Sequence, residues 1–161
     1  MSAPSIKRST SRFEASQKLQ GHLQRVLVAL VDLHVQGKQA HWNVTGRGFR
    51  DLHLQLDELV DTAREHSDVV AERLRALQAV PDGRTETVAT TTDLSPYPAG
   101  LVSVGDTADA IVERVAQTVE VVREVHDDVD AEDPTTADLL HAVIDGLEKQ
   151  AWMISGETRV V

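Results

Sequence analysis

Residues 41 to 58 read HWNVTGRGFRDLHLQLDE, and this stretch decides the fold. The Thr45-Gly46-Arg47-Gly48 segment inside it is a helix breaker, since glycine takes backbone angles that other residues avoid. On both sides of the break, apolar residues recur at helical spacing. Upstream, Leu19, Leu23, Val26, Leu27, Leu30, Leu33 and Gly37 fall on one face. Downstream, Leu52, Leu56, Leu59, Ala63, Val70, Leu74 and Leu77 do the same. The pattern predicts a first helix ending near Val44 and a second long one after the break. Ser11, followed three residues later by Glu14, reads as a capping box that starts the first helix.

Working outward, Pro81-Asp82-Gly83 marks the end of the second helix. Residues 84–103 are polar and then proline-rich around SPYPAG, which predicts a long connector with a short helix near residues 85–93. Ile111, Val115, Val119, Val122 and Val129 carry a third helix opening near Asp106. Asp133-Pro134 is a start signal for a fourth, with aspartate at the N-cap and proline at the first helical position. Leu140, Val143, Ile144, Leu147, Ala151 and Ile154 form its stripe. The predicted fold is all-α: a ferritin-like four-helix bundle over residues 13–157. Its long crossover joins the second and third helices and carries the short extra one. Residues 1–12 read as a flexible basic tail and 158–161 as a short end.

Composition agrees and excludes several classes. Only 3% of the 161 residues are aromatic, so the core must be aliphatic, and nine glycines with five prolines leave few turns for a β-sandwich. There is no cysteine, which removes disulfides and thiolate metal sites. No secretory signal and no run of 18 apolar residues is present, so a cytoplasmic location is expected. A net charge of −10 argues against a surface built to bind polyanions and suits one that attracts cations.

Four candidate metal ligands lie on the second helix: His53, Asp57, Asp68 and Glu72. Each pair is spaced by four residues and so shares a face. All four fall within an arc of about 100°, centred roughly 140° from the apolar stripe. They therefore point away from their own bundle. At 1.5 Å per residue Asp57 and Asp68 stand about 16 Å apart, too far to hold one ion. Two copies of the helix, antiparallel about a two-fold axis, would bring the His53/Asp57 pair of one chain to the Asp68/Glu72 pair of the other. His41 lies near the apolar face of the first helix and reads as either a core histidine or a ligand.

These residues resemble the Dps family, the dodecameric mini-ferritins. The resemblance runs through Lys38-Gln-Ala-His-Trp-Asn-Val-Thr-Gly46, Phe49, Leu52-His53, Asp57-Glu58, Asp68 and Ala71-Glu72-Arg73. It continues through Tyr97-Pro98, Glu148-Lys149 and Trp152-Met153. It implies ferroxidase ligands His41, His53 and Asp57 from one subunit, with Asp68 and Glu72 from its two-fold mate. It also implies oxidation of Fe(II), usually by hydrogen peroxide, and storage of ferric iron in a hollow shell. Trp42, next to a ligand, would either intercept stray radicals or pack a dimer interface. No Glu-x-x-His motif of the kind used by typical ferritins occurs; the nearest is Asp138-x-x-His141.

Two charged features remain. Residues 127–133, DDVDAED, carry five carboxylates. They are either a solvated helix end or, as the resemblance implies, part of a three-fold ion-entry pore using some of Asp128, Asp130, Asp133 and Asp138. Lys7, Arg8 and Arg12 make the N-terminal tail basic. Displayed many times on a shell, such tails could bind DNA non-specifically at low salt, giving a nucleoid-compacting protein as the competing function.

Overall fold

The computed structural model describes residues 13–158, which are mostly helical. Its elements are α1 (Gln17–Asn43), β1 (Val44–Thr45), α2 (Phe49–Ala76), α3 (Thr85–Thr91), β2 (Val102–Ser103), α4 (Val104–Glu132) and α5 (Pro134–Thr158). The four long helices are the expected all-α bundle, and α3 is the short helix in the crossover. α1 packs on α2 and α4, while α5 packs on α4 and α2. The predicted stripes form the core: Leu19, Leu23, Leu30, Leu33, Leu52, Leu56, Leu59, Leu74, Ile111, Leu140 and Leu147 are fully buried. No helix among the described residues is long and apolar enough to cross a membrane.

The crossover carries the chain back along the bundle, so α4 begins beside the end of α1. There β1 and β2 form a short parallel bridge, Val44 opposite Val102 and Thr45 opposite Ser103. At the other end Ser16, before α1, meets Glu132 of α4. The Ser16 amide donates to Glu132 Oε1 at 2.8 Å and its hydroxyl to Oε2 at 2.6 Å. The crossover itself is held by Arg114, a buried cation on α4. Its guanidinium donates to the carbonyls of Ser95 (3.2 Å), Pro96 (2.7 Å) and Ala110 (2.7 Å). A charge this deep is tolerated because its donors are matched.

Three boundaries differ from the sequence reading. α1 is capped by Ser16, whose Oγ accepts from the Leu19 amide at 3.1 Å. Ser11 lies outside the described residues, and Glu14 sits in non-helical chain, so the predicted capping box is not the start of α1. Second, α4 opens at Val104 with Ser103 as its cap, the Asp106 amide donating back to Ser103 Oγ at 3.2 Å. Third, α2 stops before Pro81. Gln78 takes a left-handed φ of 67°, its amide donating to Arg75 O, while Ala79 N donates to Leu74 O at 2.9 Å. That is a Schellman ending, closed by a residue other than the usual glycine.

The exposed Gln78 carries the steric cost of a left-handed L-residue, roughly 1–2 kcal/mol. Gln78→Gly relieves it while adding unfolded-state entropy. A net gain of about 0.5–1 kcal/mol is expected in urea unfolding. A loss of stability would mean that Gln78 makes a compensating contact.

Candidate metal centre

α1 delivers His41 in its last turn and α2 delivers His53 in its first turns, and the Gly46/Gly48 break folds the two against each other. Both glycines have positive φ, 114° and 81°, where a side chain would be strained. The two imidazoles stack, with centroids 3.6 Å apart and planes 20° from parallel. Each ring is tied to the other's backbone: His41 Nδ1 lies 2.8 Å from His53 O, and His53 Nδ1 lies 2.8 Å from His41 O. A carbonyl can only accept, so both Nδ1 atoms carry the proton in the neutral rings. Both Nε2 lone pairs are then left for a metal ion, the usual way a ligating histidine is oriented.

Asp57, one turn beyond His53, completes this corner. Its Oδ1 is 3.3 Å from His41 Nδ1 and is bonded by Lys38 Nζ. The Lys38 ammonium, helped by His41 and His53, holds the Asp57 carboxyl below its ordinary range against a smaller opposing effect of burial. Asp57 is therefore ionised and ready to bind a cation once Lys38 moves aside. His41 is buried and His53 and Asp57 are half-buried. Two imidazoles and a carboxylate are a donor set suited to Fe(II) and to neighbouring divalent ions. Lys38 was part of a sequence motif, but its contact with Asp57 could not be read there, because it crosses between helices.

Asp68 and Glu72 sit on exposed surface farther along α2, as the helical wheel requires. Asp68 borders a hollow of about 430 Å³ with His34, Arg64, Glu65 and Ser67. An adjoining hollow of about 340 Å³ on the same α1–α2 face is lined by His34, Val35, Lys38, Trp42, Val60 and Arg64, among others. Trp42 is 67% exposed there and Val35 is also exposed. Among the described residues of one chain, no three candidate ligands gather around a common point. His41 and His53 are stacked and Asp57 lies beside the Nδ1 edge of His41, but the three do not converge on one point in this chain, and Asp68 and Glu72 lie farther along α2.

The acidic run divides. Asp133 is only 8% exposed: its carboxylate accepts from Arg73 Nη2 at 2.6 Å and from the Thr136 hydroxyl. Asp128 pairs with Lys18 Nζ at 2.8 Å and His22 Nε2 at 3.2 Å. Asp130 and Asp138 are exposed. Lys7, Arg8 and Arg12 lie outside the described residues.

Known proteins share this fold. Residues 20–159 match the ferritin-like domain family. The DNA protection during starvation protein of Agrobacterium fabrum is 35% identical over 140 residues, 86% of each chain. A Dps protein of Deinococcus radiodurans superposes with a TM-score of 0.84 at 31% identity, over 87% of this chain and 85% of that one. The Dps of Microbacterium arborescens, solved in a high-iron form, gives 0.82 at 31% identity, over 89% and 97% of the two chains. The HWN and LH…DE segments, the crossover bundle and these matches agree: the chain belongs to the Dps family of ferritin-like proteins.

Proposed function

We propose that the protein is a ferroxidase and iron-storing mini-ferritin, working as a dodecameric shell in the cytoplasm and protecting DNA from iron-driven oxidation. The observation that carries this reading is the His41/His53/Asp57 corner. Its tautomers are set for metal binding, and it lies on the face that also exposes Asp68 and Glu72. Iron is the substrate. Two Fe(II) ions give one electron each to hydrogen peroxide, which with two protons becomes two waters, leaving two Fe(III). A two-electron reduction of this kind releases no hydroxyl radical. The imidazoles bind Fe(II), and the carboxylates of Asp57, Asp68 and Glu72 favour the more highly charged product. The site is shared across a two-fold interface, with Trp42 beside it as packing or as a radical trap.

Iron would enter through a three-fold pore. Asp130 and Asp138 are the exposed carboxylates suited to line it; Asp128 is drawn to Lys18, and Asp133 fixes the start of α5. The competing reading is DNA compaction through Lys7, Arg8 and Arg12, resting on phosphate contacts alone. A shell of twelve such chains would carry a charge of about −120, which opposes it. Anaerobic Fe(II) loading followed by peroxide tests the main reading. Two irons oxidised per peroxide, without spin-trapped hydroxyl radical, is the expected result. One-electron consumption with radical release would overturn it.

A further inference from the structure

Outside the ferroxidase corner, α4 and α5 hold a second pair of histidines that the proposed function does not use. His126 lies in the last turns of α4 and His141 in the second turn of α5. Their Nε2 atoms face each other at 2.7 Å, with ring centroids 4.6 Å apart and planes inclined by 27°. The opposite edge of each ring faces a carboxylate. His126 Nδ1 is 3.1 Å from Asp127 Oδ1, and His141 Nδ1 is 3.8 Å from Asp138 Oδ1. At 3.1 Å Asp127 selects the His126 tautomer with its proton on Nδ1, whereas 3.8 Å is too long for a hydrogen bond and leaves the His141 tautomer free. The His126 Nε2 lone pair then accepts a hydrogen bond from the Nε2–H of a neutral His141 across 2.7 Å. A divalent ion can take the place of that single proton between the two nitrogens.

The surroundings favour a cation. The pair borders an open hollow of about 210 Å³ with Arg123, Asp127 and Ile144. The charge of Arg123 is directed to Glu148, its ion-pair partner on α5. Asp127, Asp130 and Asp138 are exposed nearby in the sequence, adding negative potential. An ion bound at about 2.0–2.1 Å by both nitrogens needs them about 2.9 Å apart at a right angle, or about 3.3 Å at a tetrahedral angle. The rings reach that spacing by opening a few tenths of an ångström. His141 is exposed and His126 only half-buried, so no core packing resists the movement.

We infer that His126 and His141 form a second metal site, which binds a divalent first-row transition ion through both Nε2 atoms, with Asp127 orienting one ring and water completing the coordination. Imidazole pairs suit zinc, copper, nickel and iron, while magnesium and calcium prefer all-oxygen sites. The site is separate from the intersubunit ligands and does not depend on the ferroxidase reading.

Zn²⁺ is the probe, titrated by calorimetry into the full-length assembled protein, both unaltered and carrying His53→Ala/Asp57→Ala. The double variant should keep about one Zn²⁺ per chain. Adding His126→Gln or His141→Gln should weaken that binding at least tenfold, and Asp127→Asn should weaken it by about tenfold, as loss of an orienting carboxylate does. Cu²⁺ supplies the second readout: its paramagnetic resonance spectrum should show coupling to two imidazole nitrogens, reduced to one by His141→Gln. Should the double variant fail to assemble, His141→Gln in the unaltered background should lose one Zn²⁺ per chain. Zinc affinity unchanged by either glutamine variant, or no two-nitrogen copper spectrum, would mean that the pair shares only a proton, and would overturn the proposal.

Discussion

Replacing either half of the shared site, His53→Ala/Asp57→Ala or Asp68→Ala/Glu72→Ala, is expected to slow peroxide-dependent Fe(II) oxidation by more than about a hundredfold. Removing one outer partner of a metal ligand already costs about 10–100-fold, and each variant removes two direct donors. The folded monomer should be nearly unaffected by Asp68→Ala/Glu72→Ala. Asp68 and Glu72 are exposed, and outside the core such substitutions change stability by only about ±0.5 kcal/mol. His53→Ala/Asp57→Ala leaves His41 without the carbonyl-bound ring it stacks on, so a modest loss is expected there. Stopped-flow absorbance of ferric product, alongside urea unfolding, separates the two effects. A rate within threefold of the unaltered protein in either variant would remove those residues from the site.

The second large effect concerns Asp133, and it is structural. Asp133 caps α5, accepts from Arg73 and from the Thr136 hydroxyl, and is nearly buried. Asp133→Ala removes the cap and leaves the Arg73 guanidinium, itself partly shielded, without its counter-charge. Breaking a buried pair from one side costs about 3–5 kcal/mol, and the partial exposure of Arg73 points to the lower end, about 3 kcal/mol. Asp133→Asn keeps a capping oxygen and should cost less.

The same pair gives a pH signature. Burial alone would raise the Asp133 carboxyl, but the Thr136 hydroxyl, the Arg73 guanidinium and the Thr135 amide outweigh it and hold it below its ordinary value. A carboxyl depressed in the folded state stabilises above its unfolded value, about pH 3.9. That stabilisation is lost as pH falls through the folded value. Unfolding midpoints measured from pH 6 down to pH 3 should therefore drop more steeply for the unaltered protein than for Asp133→Asn. Parallel curves would show that Asp133 is not an acid-sensitive link.

Much of this could be read from the chain because single-helix geometry is local. The leucines of α1 and α2 lie in phase with one another, and Asp133-Pro134 starts α5 where capping chemistry places it. The outward face of His53, Asp57, Asp68 and Glu72 also follows from 100° per residue. What escaped depends on distant partners. Ser16 caps α1 in concert with Glu132, 116 residues away. Gln78 adopts a glycine-like angle that no residue preference signals. The β1–β2 bridge exists because the crossover returns the chain beside Asn43, and two residues of strand carry no periodicity. Lys38 at Asp57 and His126 against His141 are contacts between helices, invisible until the bundle is assembled. Asp133 was legible as the N-cap of α5 but not as an ion-pair partner, because Arg73 lies 60 residues upstream.

The central claim is that one chain holds half a site and its two-fold mate holds the other half. Mixing the two inactive variants tests it directly. His53→Ala/Asp57→Ala and Asp68→Ala/Glu72→Ala chains, differently tagged, are unfolded together in equal amounts and reassembled. In a mixed dimer one site inherits both defects. The other joins an intact His41/His53/Asp57 corner to an intact Asp68/Glu72 pair. Random pairing makes half the dimers mixed, so the shared-site account predicts recovery of about one quarter of the unaltered iron-oxidising capacity. Each variant reassembled alone should recover none. A mixture as inactive as its components, with mixed dimers confirmed by the tags, would contradict the account.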